Sequence, residues 1–344
     1  MSQDQTMQKN LVVLGLTVVA VFICWSHQWK TNIRFARAPS SLTEELFTER
    51  KRENNKSYTE VEHERRYIIF RENLQKIQEI NSVKRNFTVD LNKFAELTTD
   101  EFTSLYLGIN RQPDQYFPPP PKIKPVFGND TVDWRAENAV TPVKDQGKCG
   151  ASWAFAVTGA LEGFAAIQRG ELLVFSEQQL IDCSGDYGNR GCSGGSLENA
   201  LKYTSEHGIM LDRDYQYTGT EGICKSDISK VNSKNQQYLT ANADSVLRMA
   251  VLKGPVAVSV EGDQDVFRFY TSGILDAVEC GTYVNHGVLV VGYDVVDEMG
   301  YWIVKNSWGS DWGDQGYLKM AREFGAGICG INKDTVFPAT GASS

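Results

Sequence analysis

Apolar positions along the chain change their pattern twice. From Leu11 to Trp25 the residues are almost purely apolar, with Lys9 ahead of them and Ser26, His27 and Gln28 behind. That run is shorter than the roughly 18 to 20 residues a membrane-spanning helix needs, and it suits the apolar region of a secretory signal. Between Ser41 and Asn110 the pattern is charged and helical. Glu62, Arg66, Phe70, Asn73, Ile77 and Asn81 recur at steps of three or four, so they line one face of a single helix. From about Thr131 onward the chain reads as one compact unit in two halves. Trp153 to Ile167 is apolar on nearly every side, which predicts a buried helix. Later come strand signals at Pro255–Val260, Gly287–Val291, Tyr301–Val304 and Gly316–Met320. Helices first and strands later predict an α+β arrangement of two subdomains.

Proline marks the boundary between the second and third regions. Pro113, the run Pro118 to Pro121 and Pro125 make a stiff, extended linker and a protease-sensitive hinge, placing a processing boundary between Pro125 and Val132. The N-terminal run has two readings. No small-residue cleavage site lies near Cys24, and Lys30, Arg34 and Arg37 follow the run. A retained anchor would therefore leave the body in the cytosol, and only then is a membrane a partner. A cleaved signal sends the chain into the secretory pathway.

The net charge of -8 argues against nucleic acid or an anionic membrane surface as the main partner. Cysteines favour the cleaved signal. Of seven, Cys24 belongs to the apolar run, and Cys149, Cys183, Cys192, Cys224, Cys280 and Cys329 form an even set in the body. An even set behind a signal is the pattern of a disulfide framework in an oxidising compartment. Zinc is disfavoured, because no close Cys-x-x-Cys pair is present and only His207 and His286 lie in that region. No metal or cofactor is expected. Asn55, Asn86 and Asn129 are candidate glycosylation acceptors.

The candidate chemistry starts at Ser152, between a small-residue turn and the apolar helix. A helix N-terminus favours negative charge and so suits a nucleophile, but serine is also a preferred cap residue. Both readings fit the local sequence. The context Gly150-Ala-Ser152-Trp-Ala154 is not a Gly-x-Ser-x-Gly elbow, so an α/β-hydrolase is not indicated. His286 and Asn306 follow roughly 130 to 150 residues later in strongly patterned segments.

With these residues assembled, the chain resembles a proenzyme of the papain family, in its cathepsin L-like group. The residues that carry the resemblance are Asp133-Trp134-Arg135, Gln146-Gly-Lys-Cys149-Gly150, Trp153-Ala-Phe155, Ser176-Glu-Gln, Gly191-Cys192-Ser-Gly-Gly195, Asn285-His286-Gly and Lys305-Asn306-Ser-Trp308-Gly309, with Trp312-Gly313 and Gly316-Tyr317. The face from Glu62 to Asn81 matches the ERFNIN signature of the family's propeptides. Asn92 and Phe94 agree with its Gly-x-Asn-x-Phe-x-Asp box, while Asp90 and Glu96 depart from it.

The resemblance implies a papain-like fold, a helical half and a β-barrel-like half with the active site in the cleft between them. It implies segments 1–38 as signal peptide or signal-anchor, 39–110 as an I29-type inhibitory prosegment, 111–130 as the processing linker and 131–344 as the peptidase domain. The implied pairings are Cys149 with Cys192, Cys183 with Cys224, and Cys280 with Cys329. The implied catalytic set is Ser152, His286 as acid or base, Asn306 fixing its tautomer under Trp308, and Gln146 as oxyanion donor. Gly194 and Gly195 would offer backbone to an extended peptide, with Leu197, Ser259 and Asp334 lining the main side-chain pocket. Partners would be a peptide or protein substrate and the chain's own prosegment, in a lysosome- or vacuole-like compartment or outside the cell.

The family's Cys-Gly-Ser-Cys-Trp is here Cys149-Gly150-Ala151-Ser152-Trp153, so a serine stands where the resemblance places the nucleophilic cysteine. The first expectation is weak or absent proteolysis with peptide binding retained. A second is a working hydrolase built on Ser152, His286 and Asn306. A third is a biomineral-associated role, since silicateins share the Cys-Gly-Ala-Ser tetrapeptide, although Trp153 and the lack of a serine-rich cluster set this chain apart.

Overall fold

The computed structural model describes residues 40–109, 131–234, 237–241 and 244–339. The N-terminal run, the proline linker and Asn129 lie outside the described residues. Contacts divide the chain into two units, one ending at Arg71 and the other beginning at Glu72.

In the first unit, α1 (Ser40–Glu53) ends on Arg50, Lys51 and Arg52, where the helix dipole favours cations. Its Phe47 is fully buried and meets the rings of His63, Tyr67 and Phe70 at 5.2, 5.6 and 5.3 Å. The last three belong to α2 (Glu60–Asn81), where Arg66 also pairs with Glu62 one turn back at 2.5 Å. The predicted helix face is therefore real, and its polar members have work.

In the second unit that face continues. The Asn73 amide donates to the carbonyls of Ala95 and Leu97, both at 2.9 Å. Asn81 both donates to and accepts from the backbone of Val89. The two asparagines thus hold the return of the chain, β1 (Phe87–Val89), which pairs antiparallel with β7 (Tyr270–Leu275). Asn92 donates to Arg268 O at 2.7 Å and accepts from Phe94 N, turning the Phe94 ring inward. A short helix, α3 (Thr99–Tyr106), follows behind a capping box of Thr98 and Glu101.

The body begins with β2 (Val132–Asp133), paired to β8 (His286–Val296). Three helices come next: α4 (Ser152–Arg169), α5 (Glu177–Cys183) and α6 (Leu197–His207). Every residue of α4 from Ser152 to Gly163 is buried, in keeping with a sequence that is apolar on nearly every side. The strands follow: β3 (Ile209–Met210) with β4 (Val231–Ser233), then β5 (Gln237–Ala241), β6 (Val256–Val260), β9 (Met299–Lys305), β10 (Tyr317–Ala321) and β11 (Thr335–Ala339). Helices α7 (Asp244–Val251) and α8 (Asp265–Arg268) interrupt them.

One nine-stranded sheet runs in the order β1-β7-β10-β9-β8-β6-β11-β5, with β2 attached to β8. Its β6 is buried at all five positions and packs with β8 against α4. The four strand signals read from the sequence fall on β6, β8, β9 and β10. Disulfides join Cys149 to Cys192, Cys183 to Cys224, and Cys280 to Cys329, with Cα separations of 4.6, 4.8 and 4.9 Å.

Candidate active site

Ser152 is the first residue of α4, and Ala151 occupies the cap position without a side-chain hydrogen bond. The serine hydroxyl is therefore not spent on capping its helix. It accepts instead from the backbone N–H of Gly287 at 3.0 Å, across the meeting of α4 with β8. That meeting is close: a Cβ on Gly287 would fall 2.9 Å from Ser152 O and 3.0 Å from Trp153 N. Gly287→Ala should lower stability by about 1–3 kcal/mol, read as a drop in the thermal unfolding midpoint. An unchanged midpoint would mean the two elements have slack at this point.

His286 opens β8 and is fully buried. Its Nε2 lies 2.8 Å from Asn306 Oδ1, which also accepts from Ser307 N at 2.8 Å. An oxygen that already accepts assigns the imidazole proton to Nε2. Nδ1 is left as a bare lone pair, buried and without a partner. Trp308 stacks on the ring at 4.4 Å between centroids. Burial lowers the histidine pKa to about 4, against a smaller upward pull from Asn306. Ser152 Oγ and His286 Nδ1 are not hydrogen-bonded to each other.

The Gln146 amide nitrogen donates to Cys149 O and to Tyr106 O, each at 2.8 Å, and its oxygen accepts from Ser307 Oγ at 2.7 Å. Tyr106 ends α3, so a carbonyl from residues 40–109 sits on the donor that the resemblance assigns to an oxyanion. The chain then continues through the site. Gly108 and Ile109 donate to Asn285 O, and Gly195 N donates to Gly108 O at 2.8 Å. At Gly108 a Cβ would lie 1.7 Å from Gly150 O, so bare backbone is required there.

The side-chain pocket expected from Leu197, Ser259 and Asp334 is tied to this centre by strand register. Ser259 is the cross-strand partner of Gly287, and its hydroxyl meets Asp334 Oδ2 at 2.5 Å. Leu197, 1 % exposed, opens α6, which packs on β11 just beyond Asp334. Gly194 closes the 191–193 turn and leads into Gly195.

Several participants escaped the sequence reading. Glu162, the lone charge in the apolar stretch of α4, is 1 % exposed and meets Lys144 at 2.8 Å and Thr141 at 2.6 Å. Lys144 also meets Glu177 at 2.6 Å. Burial pulls the Lys144 pKa down, but the two carboxylates outweigh it and hold the ammonium charged. An isolated carboxylate in an apolar helix was the available signal. Tyr106 and Arg268 gave none.

Residues 128–339 match the family described as papain family cysteine protease, and residues 47–102 match the cathepsin propeptide inhibitor domain. The chain belongs to the papain family. Among its relatives, the probable cysteine protease RD21C of Arabidopsis thaliana is 39% identical over 304 residues, covering 85% of this chain and 67% of that one. RD21B of the same plant is 38% identical, and this chain spans 64% of its length. The probable cysteine protease RDL2, also from Arabidopsis thaliana, is 39% identical, with 83% and 82% covered.

Solved proenzymes share the fold. Digestive procathepsin L 3 of Tenebrio molitor superposes with a TM-score of 0.76 at 38% identity, covering 87% of this chain and 99% of that one. The proform of the ragweed pollen protease Amb a 11 gives 0.79 at 33% identity, covering 89% and 97%. The papain-family chain is thus a proenzyme with its own prosegment in cis, and residues 106–109, just beyond the matched inhibitor domain, rest on Gln146, Gly195 and Asn285.

Proposed function

We propose that this papain-family proenzyme binds peptides in the cleft now filled by residues 106–109, and that its proteolysis is weak or lost because Ser152 stands in the nucleophile position. The observation that carries the reading is the state of Ser152. Its oxygen accepts from Gly287 N, while the histidine lone pair beside it goes unused. A thiol there could ionise against an imidazolium and a helix N-terminus, but an alcohol cannot be ionised at rest by those influences. It could attack only by handing its proton to His286 during the attack, with an imidazolium then stabilised by a neighbour. The neighbour is the neutral amide of Asn306, not a carboxylate.

The test is peptide hydrolysis by wild type and Ser152→Ala side by side, after cleavage in the 111–130 linker. Equal, near-background rates are expected. A wild type far above Ser152→Ala would establish a serine mechanism on Ser152, His286 and Asn306 and remove this reading.

The substrate class is peptide, held by the backbone of Gly194 and Gly195 and by a pocket of Leu197, Ser259 and Asp334. The carboxylate of Asp334, half-exposed and bound by Ser259, supports a preference for a basic side chain there. Lys or Arg should bind about 10-fold tighter than Leu at that position, and Asp334→Asn should abolish the difference. A panel showing no gain for Lys or Arg in wild type would remove the pocket assignment. Residues 39–110 act as prosegment, 111–130 as processing region and 131–344 as body. Three disulfides support an oxidising compartment, along the secretory route to a lysosome- or vacuole-like organelle or the exterior. A membrane enters only if residues 1–38 are retained as an anchor.

A further inference from the structure

Arg268, the last residue of α8, is fully buried, yet among the described residues no carboxylate lies within ion-pair distance of it. Its Nη2 donates to two prosegment carbonyls, Phe94 O at 2.5 Å and Leu97 O at 2.6 Å. Its guanidinium lies 4.8 Å from the Phe102 ring and 4.7 Å from the Phe269 ring. Nε and Nη1 are buried without partners. Desolvation lowers its pKa to about 10, only partly offset by the more distant charges of Asp265 and Glu101.

This is a poor use of an arginine. Two neutral carbonyls would be met as well by an amide, with far less desolvation, and a buried cation with orphaned donors is costly. Three of its neighbours, Phe94, Leu97 and Phe102, lie within the prosegment. When that segment leaves, the guanidinium loses both of its acceptors and the Phe102 ring. It adjoins Phe267, whose ring lies 6.1 Å from His286 and 5.7 Å from Trp308.

Its place along the cleft follows from the path of the chain. Residues 94 and 97 sit on Arg268, residue 106 on Gln146, and residues 108 and 109 on Gly195 and Asn285. Arg268 therefore belongs to the earlier part of that path, next to Phe267 and Trp308, and Gly195 to its end, against Trp153. The planar fork of arginine matches a carboxylate in two parallel hydrogen bonds.

We propose that Arg268 is a specificity residue for an acidic group, a Glu or Asp side chain or a terminal carboxylate, carried by a bound peptide where residues 94–97 now lie. The carbonyls of Phe94 and Leu97 are its stand-in acceptors while the prosegment is in place. Together with Asp334 it would give a bound peptide one cationic and one anionic contact. The proposal rests on the reading that the cleft binds peptides.

The test uses the full chain, folded with its prosegment and then cut in the 111–130 linker so that both pieces stay together. Eight-residue peptides, otherwise uncharged, that carry Glu, Gln or Lys at each position in turn are titrated at pH 6.5, and release of the prosegment piece is followed by size exclusion. One position should show Glu displacing the prosegment at about 10-fold lower concentration than Gln. Arg268→Gln should erase that difference and Arg268→Glu should transfer the preference to Lys, while the basic preference at Asp334 persists in both. Peptides that displace the prosegment with no Glu advantage at any position overturn the role of Arg268 alone. If no peptide displaces it, including those with a basic residue for Asp334, the peptide-binding reading falls and takes this proposal with it. Because the Glu and Gln peptides are compared on the unmodified protein, a misfolded variant cannot hide the result.

Discussion

Ser152→Cys is expected to raise peptide hydrolysis at least about 10³-fold over the unmodified protein once the prosegment is gone. Such a gain corresponds to about 4 kcal/mol of barrier, at 1.36 per decade. The scaffold for it is already in place. The side chain at the head of α4 meets the Gly287 N–H, and the preceding residue carries an imidazole whose proton is fixed on Nε2 by Asn306 and whose Nδ1 is free to take another. A thiol at this helix N-terminus can give that nitrogen its proton before substrate arrives, forming an ion pair that an amide neighbour suffices to orient. The gain should come with labelling by thiol-directed inhibitors, which should leave the wild type untouched, since its six body cysteines are paired. A Ser152→Cys protein no faster than Ser152→Ala would show that the defect lies elsewhere in the site.

Acid should open the closed form, and His286 supplies the larger share. Its pKa is held near 4 while buried, against 6.5 ordinarily. Between those values an uncovered histidine binds a proton and the covered one does not. To the extent that the prosegment keeps this ring covered, the stabilisation of the closed state is complete above about pH 6.5 and declines as the pH falls toward 4.

Glu279 pushes the same way at lower pH. Burial raises its pKa, but its own backbone N–H and the Arg85 guanidinium of the prosegment outweigh this and hold it below 4.5. Its share is present at neutral pH and is lost as the pH drops below that value. Hydrogen exchange of residues 87–109 should accelerate on the order of 10²-fold between pH 7 and 4, after correction for intrinsic exchange, and His286→Gln should flatten the upper part of the profile. Protection that holds constant until the whole protein unfolds would rule this out.

How much of this was legible depended on where the information sits. The α2 face could be read because Phe70, Asn73, Ile77 and Asn81 repeat at helical spacing, and their burial and hydrogen bonds follow from that spacing. Strands β6, β8, β9 and β10 carry long β-branched and aromatic runs. By contrast, Thr271-Ser272-Gly273 within β7 gives no such signal, and that strand owes its existence to neighbours β1 and β10. Whether Ser152 caps its helix or begins it turned on the backbone of Ala151, φ -104° and ψ 15°, which residue type does not encode. The carbonyl of Tyr106 on Gln146 is a main-chain atom and leaves no mark in a sequence. Arg268 reads as an ordinary surface charge, because the two carbonyls its guanidinium meets lie more than 160 positions away.

The three disulfides described all lie between Cys149 and Cys329, so none fastens residues 40–109 to the body. While the linker is intact, the prosegment is tethered and its effective concentration at the cleft is high. Once the linker is cut, the same contacts become an ordinary bimolecular equilibrium. Occupancy then obeys mass action, and simple dilution empties a site whose occupancy did not depend on concentration before the cut.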